Sequence, residues 1–201
     1  MRALLLVDIQ NDFIPGGALA VPAGDEVIAV ANRILPSYEY VVATQDWHPG
    51  SHKSFASQHK DQNIGDVVEW DGLQQILWPD HCIQDSTGAE FCADLHSGGI
   101  FKVIRKGTDP NIDSYSGFFD NGHRKATGLE ELLRTRDIDA VDIMGLATDY
   151  CVKFTALDAA ELGFETSLLL DGCRGVEIKP GDCDAAVQDM RAAGVRILGG
   201  R

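Results

Sequence analysis

The sequence predicts a Rossmann-like α/β fold, with helices on both faces of one six-stranded parallel sheet. Six short apolar runs rich in β-branched residues are typical of strands that are buried on both sides. Segments with the spacing of amphipathic helices lie between most of these runs. Because such alternation requires crossover connections, we expect parallel strands in a three-layer αβα architecture.

The sequence also indicates where individual helices and strands begin and end. Gly24 and Asp25 supply a start signal for the first helix, and Gly163 supplies a stop signal for a later one. The predicted strands cover residues 3–7, 40–44, 101–104, 140–144, 166–170 and 195–198, and the clearest helical segments cover 27–35, 129–133 and 149–162.

The stretch from Trp47 to about Ser97 interrupts this alternation. It is rich in His, Pro, Gly and Asp and has little periodicity. Loops longer than about 15 residues in compact domains are usually functional or disordered, and the tryptophans and histidines here argue against disorder. The sequence shows no repeat and no interdomain linker, so we expect one domain over residues 1–201 with a functional loop inside it.

Charge and composition exclude several classes of partner. Seventeen basic residues against 31 acidic ones give a formal charge of −14, which repels nucleic acid phosphates and anionic membranes. No signal peptide is evident, and no segment has the roughly 20 apolar residues of a membrane span. We expect a soluble cytoplasmic protein without nucleic acid or membrane partners. Its oligomeric state is open, and a homo-oligomer is compatible with the sequence.

The five cysteines are an odd number and lack CxxC spacing, so neither a complete disulfide framework nor a four-thiolate zinc site is expected. A buried free cysteine in a reducing compartment is usually a small apolar residue. Each must therefore be judged by its neighbours. The five are Cys82, Cys92, Cys151, Cys173 and Cys183.

Reactive side chains follow four of the predicted strands. Ligands of a doubly wound sheet bind beyond the carboxyl ends of its strands, so these side chains should meet at one edge. A carboxylate, a lysine, a thiol and two types of metal ligand would converge there. In strand order the residues are Asp8, then Asp46 and His48, then Lys106, then Asp149 and Cys151.

Cys151 has the position of a nucleophile. It follows the turn GLATD and falls in the first helical turn, where free backbone N–H groups and the helix dipole stabilise a thiolate. Lys106 would lower the thiol pKa further, and Asp8 would accept the thiol proton and pass it to a leaving amine. Considered one at a time, the three residues also fit ordinary structural roles. Cys151 could be a small buried residue, Lys106 an exposed lysine and Asp8 a capping aspartate.

Asp46 and His48 form a candidate metal chelate, because alternate residues of an extended segment face the same side. His81, in WPDHC, would add a third ligand. One carboxylate and two imidazoles suit zinc, iron or manganese. His52 and Ser54 could reach the site directly or through water. The remaining histidines read as surface loop residues: His59, His96 and His123.

Three aromatic residues near these segments, Phe13, Trp78 and Tyr115, could wall a slot for a flat ring, although each also fits a core position. The glycine pairs of the chain do not form a dinucleotide or P-loop motif.

Several segments together resemble the nicotinamidase branch of the isochorismatase-like hydrolases, and the similarity covers nearly the whole chain. The resemblance implies a single isochorismatase-like domain over residues 1–201, with a metal-binding loop region at about 46–97. The segments are VDIQNDFIPGGALAVP, TQDWHPGSHKSFAS, WPDHCIQDS, KGTDPNIDSYSGFFDN, MGLATDYCVKFTALDA and DGCRGVEI.

The resemblance also implies the site. A cis peptide joins Leu146 and Ala147, and the amides of Ala147 and Cys151 form an oxyanion hole. The catalytic triad is Asp8, Lys106 and Cys151; the ligands of one divalent metal, zinc or else iron or manganese, are Asp46, His48 and His81; and the substrate pocket is Phe13, Trp78 and Tyr115.

The implied activity is cleavage of nicotinamide to nicotinate and ammonia in NAD salvage, with pyrazinamide as a further substrate. The thiolate attacks the carboxamide carbon, ammonia leaves with a proton from Asp8, and water hydrolyses the thioester. The metal holds the pyridine nitrogen and water.

Two other readings compete with this one. The first is a metal-independent hydrolase of the same superfamily, such as an isochorismatase or a carbamoyl amidase. The DWH and WPDHC segments weigh against it. The second is a noncatalytic metal-binding or redox module that uses Cys82, Cys92 and the histidines, for which the triad would be a coincidence.

Overall fold

A computed structural model describes residues 1–200, and its centre is a six-stranded sheet in which every neighbouring pair is parallel. From one edge to the other, the strands of this sheet are Lys102–Lys106, Tyr40–Asp46, Arg2–Val7, Ala140–Leu146, Glu165–Arg174 and Arg196–Leu198. All six predicted strands are present; four are one or two residues longer than expected, the fifth is five residues longer and the last is one residue shorter. In chain order the strands are β1 (Arg2–Val7), β2 (Tyr40–Asp46), β3 (Val67–Trp70), β4 (Leu73–Ile76), β5 (Lys102–Lys106), β6 (Ala140–Leu146), β7 (Glu165–Arg174) and β8 (Arg196–Leu198).

Four helices flank the sheet within the described residues. The helix predicted over 149–162 divides in two, because a π-helical turn at Thr148–Val152 precedes the regular helix, which stops just before Gly163 at φ +82°. The last helix was not predicted. The four are α1 (Glu26–Ile34), α2 (Leu129–Arg134), α3 (Lys153–Glu161) and α4 (Asp182–Ala192).

The middle strands of the sheet are buried on both faces. Residues 3–7 of β1 and the whole of β6 are buried, including side chains that point to opposite sides. A strand with two covered faces requires a layer on each side of the sheet. The predicted three-layer αβα fold is therefore confirmed. Because the strands are parallel, their carboxyl ends all lie at the same edge of the sheet. No helix within residues 1–200 is both long enough and apolar enough to cross a lipid bilayer.

The segment from Trp47 to Ser97 contains more structure than its sequence suggested. β3 and β4 form an antiparallel hairpin around Asp71 and Gly72, which both have positive φ. Asp-Gly is a strong signal for such a turn, but the flanking strands are mostly exposed and lack clear alternation. Residues 61–69, for which the sequence offers no interpretation, lead into the hairpin and form most of its first strand.

Candidate active site

The sheet brings three of the predicted side chains together at its carboxyl edge. Asp8 directly follows β1, Lys106 is the last residue of β5, and Cys151 lies in the π-helical turn after β6. All three are buried, and Lys106 is only 2% exposed although it carries a charge. Asp8 has φ +49°, a conformation that is rare for residues other than glycine and is often found at functional sites.

The ammonium group of Lys106 uses its three hydrogens on three neighbours. It donates to Asp46 Oδ1 at 2.6 Å, to the Ser114 carbonyl at 2.9 Å and to Cys151 Sγ at 3.3 Å. Asp8 Oδ2 is also 2.8 Å from Nζ, but the geometry is that of an ion pair without a hydrogen bond. Since Thr44 donates to Asp8 Oδ1 at 2.6 Å, Oδ2 is the oxygen of this carboxylate that is left to accept a proton.

The protonation states of the pair follow from burial. Burial raises the pKa of Asp8 to about 6, and Lys106 limits the rise. Burial also raises the pKa of the Cys151 thiol well above its ordinary value, although Lys106 opposes this. Lys106 lowers this pKa, as expected, but full burial and the neighbouring carboxylates Asp8 and Asp46 outweigh it, so the net direction is upward. At neutral pH an ionised Asp8 faces a protonated thiol.

The three predicted metal ligands also lie close together in the structure. Asp46 Oδ2 lies 3.7 Å from His48 Nε2 and 4.0 Å from His81 Nε2, and one donor atom from each of the three residues lies within 4.8 Å of the others. His48 Nδ1 bonds the Gly107 carbonyl at 2.9 Å, and His81 Nδ1 bonds the Pro79 carbonyl at 2.8 Å. Each Nδ1 must then carry the hydrogen, which leaves the Nε2 lone pairs facing Asp46.

This donor set fits a divalent metal ion. His48 Nε2 is buried without a hydrogen-bond partner, which is costly unless another group satisfies it. Burial lowers the pKa of His81 to about 4, which keeps its imidazole neutral at pH 7, whereas for His48 the carboxylate of Asp46 outweighs burial and raises the pKa. Burial favours the protonated form of Asp46, but Lys106 and His48 outweigh it and hold the pKa of that carboxyl well below its usual range.

His48 packs tightly against the loop after β5. Gly107 has φ +62°, and a Cβ there would lie 2.3 Å from His48 Cε1, so only glycine fits. His52 packs against the other side of His48, with ring centroids 4.3 Å apart. Its Nδ1 bonds Ser54 Oγ at 2.7 Å and its Nε2 bonds the Ile112 carbonyl at 3.3 Å. Both nitrogens of His52 are thus engaged with the protein.

The three predicted aromatic residues line one cavity that reaches Cys151, Asp46 and His81. Trp78 Nε1 donates to the Tyr115 hydroxyl at 3.0 Å. Tyr150 was missed, although it precedes Cys151 in sequence; its ring meets Trp78 edge-on at 4.9 Å. Further lining residues that the sequence reasoning missed are Leu19, Asp113 and Val176.

The peptide between Leu146 and Ala147 is cis, as the resemblance implied. Ala147 lines the cavity beside Cys151, and its carbonyl accepts hydrogen bonds at 3.1 Å from the amides of Tyr150 and Val152. The two residues expected to form the oxyanion hole therefore border the same cavity. None of the five cysteines within residues 1–200 forms a disulfide.

A further missed residue is Gln10, which lies two residues after Asp8. Its Nε2 donates to the Asp46 carbonyl and its Oε1 accepts from the Asp46 amide, both at 2.8 Å. Asp12 similarly accepts from the amide of Cys82, the neighbour of His81, at 2.7 Å. The sequence shows polar residues at alternate positions after β1. It does not show their hydrogen-bond partners, because these lie far away along the chain.

Residues 2–200 match the family model described as Isochorismatase domain. The nicotinamidase of Escherichia coli (strain K12) is 53% identical over 200 residues, which cover 98% of this chain and 93% of that protein. Among solved structures, an Acinetobacter baumanii nicotinamidase and pyrazinamidase has a TM-score of 0.95 at 44% identity, with 98% of this chain and 95% of that chain covered.

Two further structures carry bound groups. The yeast nicotinamidase bound to the inhibitor nicotinaldehyde has a TM-score of 0.94 at 32% identity, and 100% of each chain is covered. The pyrazinamidase of Pyrococcus horikoshii in complex with zinc has a TM-score of 0.80 at 38% identity, with 99% of each chain covered. One of these relatives binds nicotinaldehyde, and the other binds zinc.

Proposed function

The chain belongs to the isochorismatase family, and from that premise we propose that it hydrolyses nicotinamide to nicotinate and ammonia. One observation carries the proposal: a single aromatic cavity borders both a buried cysteine and a carboxylate–imidazole set suited to a metal. A metal-independent hydrolase has no use for that set. The same cavity would admit pyrazinamide, and the reaction belongs to NAD salvage.

The triad supplies the proton transfers. Asp8 Oδ2 takes the proton of the Cys151 thiol as Sγ forms a bond to the carboxamide carbon. Lys106 keeps the two carboxylates and the sulfur close together by sharing its positive charge among them. The proton on Asp8 then passes to the amide nitrogen, the C–N bond breaks, and ammonia leaves a thioester on Cys151.

Water completes the cycle. Asp8 removes a proton from the water that attacks the thioester carbon, the C–S bond breaks, and the proton returns to sulfur. The amides of Ala147 and Cys151 stabilise the oxyanion in both halves of the reaction, and such donors are worth about 2.7 to 4 kcal/mol each in other enzymes.

We assign one divalent metal ion to Asp46, His48 and His81, with Zn²⁺ favoured by this donor set and Fe²⁺ or Mn²⁺ compatible with it. When bound, the ion would act as a Lewis acid toward a ring nitrogen and a water molecule. Lys106 bonds only Oδ1 of Asp46, so Oδ2 stays directed at the imidazoles. The side chains of Phe13, Trp78 and Tyr115 restrict the site to a flat ring.

The partner of this site is a small molecule. The formal charge of −14 disfavours binding to nucleic acids and anionic membranes. We propose that the reaction takes place in the cytoplasm. One continuous hydrophobic core among residues 1–200 supports our proposal of a single domain over residues 1–201.

The decisive experiment measures hydrolysis of nicotinamide, benzamide and isochorismate by one metal-loaded preparation. We expect nicotinamide to be the best substrate. Benzamide keeps the ring and the amide but lacks the ring nitrogen, so it should be at least about a hundredfold worse, because a polar site is left unsatisfied. Equal turnover of benzamide would refute recognition of the nitrogen. Faster turnover of isochorismate would overturn the proposed function.

A further inference from the structure

Asp149 is the one strand-end residue that the chemistry above does not use. It lies in the π-helical turn two residues before Cys151 and is 8% exposed. Its carboxylate bonds the segment of residues 175–177, which follows β7 and is called the strap below. Oδ1 accepts from the Val176 amide at 3.0 Å, and Oδ2 accepts from the Glu177 amide at 2.7 Å. Both carboxylate oxygens are therefore committed to the strap.

The strap is also fixed from its other side. Glu177 has φ +53°, an unfavourable conformation for this residue, and its carboxylate accepts from the Gly181 amide at the start of α4 at 2.6 Å. A Cβ on Gly175 would lie 1.9 Å from Cys183 Sγ and 3.1 Å from Asp149 Oδ1. The strap thus lies flat between α4 and the turn that carries the nucleophile.

One residue of the strap faces the substrate cavity. Val176 is half-buried and lines the cavity together with Ala147, Tyr150 and Cys151. Asp149 therefore joins the turn that holds Cys151 to a neighbouring wall of the cavity. A shift of the strap would change the room for the ring without moving Asp8 or Lys106, which belong to other strands.

We propose that Asp149 is a positioning residue which, through Val176, sets how closely this wall fits the substrate ring. The proposal rests on the proposed function for the identity of the substrate. Its expected signature is a change in KM and in discrimination between ring-substituted amides, with the rate of the chemical steps nearly preserved. A residue that only stabilised the fold would lower the thermal midpoint and leave the KM of the folded protein unchanged.

The primary variant is Asp149→Asn. Asparagine keeps one acceptor but presents an NH₂ group to the second strap amide, so one charge-assisted hydrogen bond is lost. We expect KM for nicotinamide to rise about tenfold while kcat stays within about threefold, because a bond to a charged group is worth about a factor of ten or more. The kcat/KM ratio of 5-methylnicotinamide to nicotinamide should rise.

Asp182→Asn is the matched control. Asp182 Oδ2 accepts from the Lys179 amide at 2.8 Å in the same part of the fold, but Asp182 does not line the substrate cavity. This variant loses the same kind of carboxylate–amide bond, so its KM should match that of the unaltered chain.

Two more variants test the route through Val176. Val176→Ala should raise KM by itself, and adding Asp149→Asn should raise it little further, because both changes act on one wall. If Asp149→Asn does not fold, Gly175→Ala replaces it as the test. The added Cβ displaces the strap from Cys183, so KM should rise as it would in Asp149→Asn, with little further rise when Val176→Ala is added. Independent, multiplying effects on KM would overturn the proposal, as would a fall in kcat with KM unchanged.

Hydrogen exchange separates this proposal from the proposed function. The amides of Val176 and Glu177 should exchange about tenfold faster in Asp149→Asn and at the normal rate in Asp182→Asn. Unchanged exchange at both amides would overturn the coupling whatever the substrate is. An unaltered chain that released no ammonia from nicotinamide would instead overturn the proposed function.

Discussion

The two halves of the site are held in place by different means. The triad sits at strand ends, where the sheet fixes positions: Asp46 pairs with Lys106 across β2 and β5, and Val7, which precedes Asp8, pairs with Gly145 of β6. The loop of residues 47–97, which carries His48 and His81, is held mainly by isolated hydrogen bonds and by short bridges. Topology therefore assembles the acid–base chemistry and places Asp46, whereas a few polar anchors place the two imidazole ligands His48 and His81.

The largest effect is expected at the strand-end half. Cys151→Ala and Cys151→Ser should fold normally and lose turnover by about a thousandfold or more, because the nucleophile is removed while the sheet is untouched. Ammonia release and thermal unfolding measure the two consequences separately. Substantial activity in the alanine variant would exclude the covalent mechanism.

The other cysteines are the controls. Cys173 is equally buried in β7, and its Sγ contacts the Leu169 carbonyl at 3.4 Å rather than the triad. We expect Cys173→Ala to keep turnover within a few-fold, as should the corresponding changes at Cys82, Cys92 and Cys183. A loss comparable with that of Cys151→Ala at any of these would mean that another thiol is the nucleophile.

The second largest effect is expected when the metal ligands of the loop half are removed, and the sheet should stay folded. His48→Ala combined with His81→Ala removes both imidazoles, so we expect metal content to fall from about one ion per chain to background and turnover to fall at least about a hundredfold. Elemental analysis and far-ultraviolet circular dichroism are the measurements. Full metal occupancy in this variant, or full activity in rigorously metal-free protein, would remove these residues from the site.

The same division explains what the sequence could predict. Apolar runs and helical periods predicted all six strands of the main sheet, because burial on both faces leaves a strong pattern in strands such as β1. The convergence of Asp8, Lys106 and Cys151 followed from parallel topology alone. Neither step required knowledge of a contact between distant side chains.

The missed features depend on such contacts. The lowering effect of Lys106 on the pKa of Cys151 was predicted, but the larger rise was not, because burial beside Asp8 and Asp46 exists only in the folded site. The double bond of Gln10 to Asp46 and the wall formed by Val176 depend on where loops lie, which neither periodicity nor spacing encodes. Position in the sequence suggested His81 and the aromatic residues, and the resemblance to a known family joined them to one site.

A pH profile tests the strand-end half on its own. Because the pKa of Asp8 is raised to about 6, this carboxylate is ionised above pH 6 and can accept the thiol proton, whereas below pH 6 it is protonated and cannot. At saturating metal we expect kcat/KM at pH 5 to be about one tenth of its plateau. Thr44→Val removes a hydrogen bond that lowers this pKa, so the acid limb should move to higher pH. A limb that stays in place would assign it to another group.

The smallest effect on turnover should come from an anchor of the loop half. Gln10→Ala removes both bonds to the Asp46 backbone and one at 2.9 Å to the Ala89 carbonyl. Groups that orient metal ligands are worth about tenfold to a hundredfold in affinity, so we expect metal binding to weaken about tenfold. Turnover at saturating metal should change by no more than a few-fold, since Asp46 keeps its register with Lys106 in the sheet and Lys106 keeps its contact with Cys151.

Gln45→Ala is the matched control for this anchor. The Gln45 side chain is also buried and also bonds the Ala89 carbonyl at 2.9 Å, but it makes no hydrogen bond to the Asp46 backbone. Competition with a chelator should therefore show a weaker metal affinity in Gln10→Ala than in Gln45→Ala. Equal affinities would mean that the loop is fixed by its packing. A Gln10→Ala protein that bound metal normally but turned over poorly would show that this anchor serves the triad, and the separation of the two halves would then fail.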